Sequence, residues 1–381
     1  MRERTEVLII GGGVNGCALA YYLAERGVDV TLVEKEYIAC GSSGRNAGGI
    51  RQQWSTRENV RLAMGSVKIF ERLDEELGCE TDYRQGGYLI LAHTEEEVKQ
   101  FKRNVSMQRS EGLEVEYLEQ DEINDIVPEL NVEGIGAIGA TWCPTDGHAD
   151  PIKVTIGYAE AAVKKGAQIY KYTEVLGFRV EDNEIVEVKT SRGSIRADYI
   201  VNAAGAYSKE IAKLLGVQLP NKPYRHEILI TEPVKPFFTP MIISFHDNFY
   251  FRQTPEGQII GGWGNPKEEP GYNYESSLTF AKNMARLLTR YMPKLRHINI
   301  LRQWAGLYDV TPDARPILGP VETVRNFIQM NGFSGHGFMV APMTATLMAQ
   351  LIMGEKTSLP IKNLSLERFK GKVTKEVSVV G

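Results

Sequence analysis

Six residues near the start of the chain, Gly11-Gly12-Gly13-Val14-Asn15-Gly16, carry the first chemistry that residue type and spacing specify. Glycine at Gly11 permits a tight turn, and at Gly13 it lets backbone N–H groups approach a pyrophosphate. At Gly16 it allows a helix to pack closely on a strand. Val14 and Asn15 open that helix, whose N-terminus turns partial positive charge toward a diphosphate. Farther on stands Glu34, with Lys35 beside it. A carboxylate there accepts hydrogen bonds from ribose hydroxyls and repels a 2′-phosphate. The chemistry implied is a grip on the ADP half of a dinucleotide.

The surrounding elements are the ones such a turn requires. Glu6 to Ile10 is a short, mostly apolar strand, and Cys17 to Arg26 places Ala18, Leu19, Tyr22 and Leu23 at helical spacing. Gly27 closes the helix, and Val28 to Val33 forms a second strand ending at Glu34. Strand, glycine turn, helix and strand within about 30 residues give the motif its meaning.

Cys40 to Arg51, C-G-S-S-G-R-N-A-G-G-I-R, favours FAD over a nicotinamide cofactor, because an extended flavin dinucleotide needs near-naked backbone along its length. Ser42, Ser43, Arg45 and Asn46 suit phosphate and ribityl oxygens, and Ala47, Gly48 and Gly49 suit the space beneath a flavin. Tyr199 to Gly205 is an apolar strand ending in Ala203, Ala204 and Gly205. Near the other end, the strand Phe327 to Met330 leads into Asn331-Gly332-Phe333-Ser334-Gly335-His336-Gly337-Phe338, and a helix follows from Met339 to Met353. That second helix N-terminus suits the electron-rich edge of a reduced flavin. Val175 completes the expected cofactor contacts.

A length of 381 residues fits two interlocked domains, and 43% hydrophobic with 24% charged residues is a globular balance. A net charge of -4 with interspersed signs gives no footprint for nucleic acid. No apolar run reaches the roughly 20 residues of a membrane span. Met1 to Thr5 is charged and reads as no secretory signal. Cys17, Cys40, Cys79 and Cys143 are scattered without metal-ligand spacing, which predicts reduced thiols in the cytoplasm. Residues 371–381 read as a loose polar tail.

Taken together, Gly11 to Glu34, Ser42 to Arg51, Val201 to Gly205, Trp304 to Leu307 with Thr311-Pro312-Asp313 and Pro316, and Gly332 to Phe338 resemble the D-amino-acid-oxidase-like family of FAD enzymes. The resemblance spans nearly the whole chain. It is strongest to the branch of sarcosine oxidases, dimethylglycine dehydrogenases and dye-linked L-proline dehydrogenases, including the beta subunits of heteromeric proline dehydrogenases. It implies an α/β fold, α+β overall, with a Rossmann-like FAD-binding domain interleaved with an antiparallel-sheet substrate domain. The expected FAD domain is residues 1–84, 145–220 and 302–372, and the substrate domain is 85–144 and 221–301, before a tail at 373–381. Expected substrate-domain strands are Tyr224 to Thr231, Phe249 to Gln253 and Gln258 to Gly262, with a helix from Ser276 to Met292. The implied activity is oxidation of a small secondary α-amino acid, L-proline first and sarcosine-type next.

Departures from the family pattern sharpen this. Gly306 stands where monomeric sarcosine oxidases attach FAD through cysteine, so non-covalent FAD is expected. Tyr308 replaces the carboxylate-binding arginine of D-amino-acid and glycine oxidases and offers no bidentate fork. Arg51 matches the arginine that sarcosine oxidases use instead, and is the expected carboxylate anchor. Met339, and Ile259 or Ile260, replace lysines of those oxidases. Without a cation beside the flavin, transfer to oxygen slows, so electrons are expected to pass to a partner subunit or dye. The resemblance also allows FMN, non-covalently held at a subunit interface of a hetero-oligomer.

Candidates for proton handling are His226 and Glu227 on one strand and Tyr250 and Arg252 on the next. His148 is read as capping the following helix, and His336 as a supporting cofactor contact. Two other readings stay open: an electron-relay or assembly flavoprotein, and a single-chain glycine or D-amino-acid oxidase.

Overall fold

The computed structural model describes residues 2–379; Met1, Val380 and Gly381, the last two belonging to the expected tail, lie outside the described residues. Two eight-stranded sheets organise the chain. In the first, Arg4–Ile10 runs parallel to Val30–Val33 on one side and Gly193–Asn202 on the other. Val324–Asn331 adds in parallel against Gly193–Asn202, so distant parts of the chain share one sheet. Val30–Val33 is wholly buried, as expected of a parallel strand covered on both faces.

The helix Val14–Glu25 packs on Pro151–Lys164 and Gly337–Ile352. The Tyr22 and Tyr158 hydroxyls meet at 3.2 Å in that contact. The carboxyl ends of the parallel strands thus bring Gly11, Glu34, Ala203 and Gly332 to one edge, where open α/β sheets bind ligands.

The second sheet runs in the order Ile300–Val310, Lys222–Thr231, Ile259–Trp263, Phe249–Gln253, Met241–Ser244, Tyr88–Ala92, Gly139–Cys143, Glu116–Glu119. Alternation sorts its side chains. Leu89, Leu91, Leu229, Ile242, Phe249, Phe251 and Ile259 pack with Phe280, Met284, Leu287 and Leu288 of the helix Leu278–Tyr291. Tyr88, Ile90, Ile228, Met241, Ile243, Tyr250 and Ile260 form a separate cluster with Ala47 of the glycine-rich loop. Ser277 caps that helix, accepting from the Phe280 amide at 3.1 Å, so it begins two residues after the expected start.

Several expectations need correction. Met241–Ser244 pairs with Tyr88–Ala92 in parallel, so the substrate sheet is not purely antiparallel. Ile300–Val310 pairs along its length with Lys222–Thr231, which places residues 302–310 in the second sheet, while Val324–Asn331 stays in the first. Asp150, not His148, caps the helix Pro151–Lys164, accepting from the Ile152 and Lys153 amides at 2.8 and 2.9 Å. His148 instead joins a small three-stranded sheet, where burial pushes its pKa down to about 3. The expected loose tail is anchored: Glu376 is fully buried. Among the described residues no helix is long and apolar enough to cross a membrane, and no His, Cys, Asp and Glu cluster is placed to hold a metal. All four cysteines are free.

Candidate active site

A cleft of about 1050 Å³ is lined by residues of both sheets. At one end Gly11 has φ +114°, and a Cβ there would lie 2.5 Å from the Ala203 carbonyl oxygen, so only glycine lets the two strand ends approach. The Glu34 carboxylate accepts from the Gly12 amide at 2.7 Å and from the Glu36 amide at 2.8 Å. It therefore braces the glycine turn while facing the cleft. The Lys35 ammonium sits 3.5 Å from the centre of the Tyr207 ring.

In the middle, the Val14 amide at the helix N-terminus donates to the Ser43 hydroxyl at 2.9 Å. The glycine-rich loop is stitched to the Ile300–Val310 strand: Ser42 Oγ donates to the Leu307 carbonyl at 2.6 Å and Arg45 Nη1 to the Ala305 carbonyl at 3.2 Å. Asn46 Nδ2 donates to the Ser43 carbonyl at 2.9 Å. Arg45 and Asn46 thus shape the loop as well as line it. Asn15 Nδ2 donates to the Gly337 carbonyl at 3.2 Å, so the two glycine turns, far apart in sequence, touch.

Most expected cofactor residues line this cleft: Gly11, Gly13, Val14, Asn15, Glu34, Lys35, Ser42, Ser43, Arg45, Asn46, Ala47, Gly49, Val175, Ala203, Ala204, Gly205, Gly306, Gly335, His336, Gly337, Phe338 and Met339. Gly16, Gly48 and Gly332 do not; their places are taken up by close packing on Gly11, Ala149 and Thr311. They act by letting other backbone reach the wall.

The far end is aromatic. The His226 ring lies between Tyr308, 4.4 Å away and 11° from parallel, and Tyr250, 5.7 Å away and 8° from parallel. Gly262 makes room for this stack, since a Cβ there would stand 2.6 Å from Tyr250 Oη and 2.8 Å from His226 Nε2. Burial pushes His226 down to about 4, so the imidazole is neutral, and its Nε2 has no hydrogen-bond partner among the described residues. Burial likewise raises Tyr250 well above its ordinary value and Tyr308 to about 12, keeping both phenols neutral.

Arg51 is buried with its guanidinium 3.8 Å from the centre of the Trp54 ring. Its polar partners are carbonyl oxygens: Nη1 donates to Gln53 at 2.8 Å and Nη2 to Ser378 at 2.7 Å. Burial lowers its pKa from the ordinary arginine value. Trp54 in turn packs on His336 with ring centres 4.6 Å apart, and burial pushes His336 down to about 4.

Two proton-handling candidates face elsewhere. Arg252 does not line the cleft; its Nε donates to the Ala47 carbonyl at 3.0 Å, supporting the glycine-rich loop from behind. The Glu227 carboxylate accepts from the Ser277 amide at 2.5 Å and hydroxyl at 2.7 Å, at the helix N-terminus. Alternation explains it: His226 and Ile228 face the cleft, so Glu227 points away.

Sequence reasoning missed Trp54, Tyr88 and Asp309, which also line the cleft. Asp309 accepts from the Gly332 amide at 2.7 Å and from Asn221 Nδ2, and burial raises it to about 7. Its signal was its place directly after Tyr308, just past the Trp304 to Leu307 motif already singled out.

These residues fit FAD. The glycine approach at Gly11, the carboxylate at Glu34, two helix N-termini and a cleft at the upper end of ligand-pocket sizes suit a dinucleotide with a small substrate beside it.

The family model described as FAD dependent oxidoreductase matches residues 6–351. The sarcosine oxidase subunit beta of Arthrobacter sp is 30% identical over 373 residues, covering 97% of this chain and 92% of that protein. Mitochondrial dimethylglycine dehydrogenase of Mus musculus is 29% identical, covering 97% of this chain and 44% of that protein. Among solved structures, L-proline dehydrogenase from P. horikoshii superposes with a TM-score of 0.94 at 39% identity, covering 98% of this chain and 100% of that one. Glycine oxidase from Geobacillus kaustophilus superposes with a TM-score of 0.88 at 26% identity, over 96% of this chain and 99% of that one. With both glycine turns, the Glu34 carboxylate at the cleft and the shared cleft in place, the chain belongs to the DAO family of FAD-dependent oxidoreductases.

Proposed function

We propose that the chain is a dehydrogenase that takes hydride from a small secondary α-amino acid, L-proline first and sarcosine-type substrates next. FAD, held non-covalently, supplies the hydride acceptor when bound. The observation that carries the reading is the buried Arg51 guanidinium, partnered by carbonyls rather than carboxylates, at the same end of the cleft as a neutral, unpartnered His226 nitrogen.

Arg51 takes the substrate carboxylate, whose negative charge supplies a counter-ion in a low-dielectric site. Tyr308, Tyr250 and Trp54 exclude water and wall the small ring or N-methyl group. Hydride leaves a neutral amine more readily than an ammonium, so a proton must be lost first. His226 Nε2 is the acceptor, and Arg51 beside the carbon opposes retention of the ammonium charge.

Electrons pass to a second subunit or a dye rather than to oxygen, since Met339 and Ile260 stand in place of cations. The beta-subunit relatives support a hetero-oligomer. FMN, non-covalently held between subunits, is the carrier this reading assigns to it. The free cysteines support a cytoplasmic setting.

The test is anaerobic mixing of the FAD-loaded chain with L-proline, sarcosine, glycine or D-alanine while following oxidised-flavin absorbance. Loss is expected with L-proline, more slowly with sarcosine. Faster loss with glycine or D-alanine rejects the substrate assignment. Absence of loss with every amine favours an electron-relay role, and rapid peroxide release in air rejects the acceptor assignment. The assembly isolated with its partner is expected to release both FAD and FMN on denaturation.

A further inference from the structure

The segment after residue 371 turns back into the molecule. Its way in is set by Asp313, whose carbonyl accepts from the Glu376 amide at 2.9 Å and whose carboxylate pairs with Arg368 at 2.8 Å. The Glu376 side chain then enters the N-terminus of the helix Arg57–Phe70. There it accepts from the Ser55 and Thr56 amides at 2.9 and 3.0 Å, from Thr56 Oγ1 at 2.8 Å, from Asn59 Nδ2 at 3.2 Å, and from the Ser55 hydroxyl. A carboxylate at a helix N-terminus also meets the favourable end of the helix dipole. Burial alone would raise this group, but the hydrogen bonds from Ser55, Ser378 and Thr56 outweigh it, and Glu376 is held below its ordinary value.

Two residues later the strap reaches the cleft. The Ser378 carbonyl accepts from Arg51 Nη2 at 2.7 Å, and Val379 lines the wall. With Gln53 taking Nη1 and Trp54 lying against one face, the guanidinium plane is fixed on three sides. A guanidinium has five N–H groups, so donors remain for a bidentate carboxylate.

We propose that Glu376 to Val379 are a working part of the substrate site: Glu376 pins the strap, Ser378 sets the plane of Arg51, and Val379 closes the wall beside it. This rests on Arg51 as the carboxylate anchor. Glu376 is a positioning residue, acting through Arg51 without touching substrate. Removing the pin returns rotamer freedom to the arginine, which binding must then take away again.

The experiment uses the FAD-loaded, full-length protein and pyrrole-2-carboxylate, an unreactive planar carboxylate, followed by its perturbation of the flavin spectrum. E376A is expected to weaken binding about tenfold and to raise KM for L-proline in step, with kcat changed less than about twofold. E376Q, which keeps the shape but turns an NH2 toward a backbone N–H on one side, is expected to recover only part of the loss. In an R51K background, E376A is expected to add no further effect. If R51K weakens the carboxylate and E376A does not, the strap proposal is overturned and the anchor stands. If R51K binds the carboxylate unchanged, the anchor itself is wrong. Equal losses for E376A with and without R51K mark a merely structural role and overturn the proposal.

Discussion

Asp309 offers a sharp test of the electrostatics that hold the second glycine turn. Its carboxylate accepts from the Gly332 amide and from Asn221, yet burial raises its pKa from 3.8 to about 7. A folded-state value above the unfolded one means that the fold prefers the neutral acid. The stability this gives is complete below about pH 3.8 and is lost as pH rises toward 7. A shift of roughly three units is worth about 4 kcal/mol in all, at about 1.4 kcal/mol per unit. Some of that is gone by pH 5, and about 2.5 kcal/mol is lost between pH 5 and pH 8.

Asp309→Asn removes the titration while keeping an acceptor for Gly332. Asn221 can turn its amide to meet the new donor, because its Oδ1 is buried without a partner among the described residues. Relative to wild type, the variant should therefore gain about 2.5 kcal/mol from pH 5 to pH 8. With an unfolding entropy of about 2.1 cal/mol/K per residue over 381 residues, that is about 3 °C of Tm. The assay is thermal unfolding of both FAD-loaded proteins across that range, reading only the difference between them. Asp146, also raised by burial, then cancels. Parallel curves, separated by the same amount at every pH, would refute the reasoning.

Two further predictions address the aromatic end. His226→Asn should lower kcat/KM by about 10²- to 10⁴-fold while FAD content stays intact, and the wild-type profile should show no inflection from His226 between pH 5 and 8, because burial holds it neutral above about 4. Gly262→Ala forces a methyl to within 2.8 Å of His226 Nε2 and closer still to Tyr250 Oη. It should cost about 1–3 kcal/mol in thermal unfolding and slow flavin reduction by L-proline; unchanged reduction kinetics would mean that the ring stack plays no part.

What was readable beforehand and what was not divides along physical lines. The nucleotide unit was legible because its demands are local: Gly11 must take a positive φ, and Val30 to Val33 must be buried on both faces. The ends of elements moved by a few residues without consequence. Orientation across a sheet was only half legible. Period-two alternation separates His226 from Glu227, but it puts Arg252 on the same face as Tyr250, about 7 Å farther along the strand. Whether that position meets the cleft or the back of the Ala47 loop depends on where another segment crosses. The strap was illegible for a stronger reason. A polar composition reads as solvated, and nothing near Glu376 announces that its partners are Ser55, Thr56 and Asn59.

The strap and the arginine also bear on why the site should bind an amino acid rather than a simple amine. A buried guanidinium with only carbonyl partners keeps most of its desolvation cost, because dipoles offset a charge less well than a carboxylate does. An anionic substrate group completes the site, whereas a cation entering alone would raise the cost. A zwitterion satisfies the first condition with its carboxylate and feels the second at its ammonium, which lies a bond or two away. With Arg51 as the proposed anchor, the charge that captures the substrate would also push its nitrogen toward the neutral form, next to an imidazole that burial has left unprotonated. Arg51 and His226 thus work in one direction, and replacing either should impair deprotonation as well as binding.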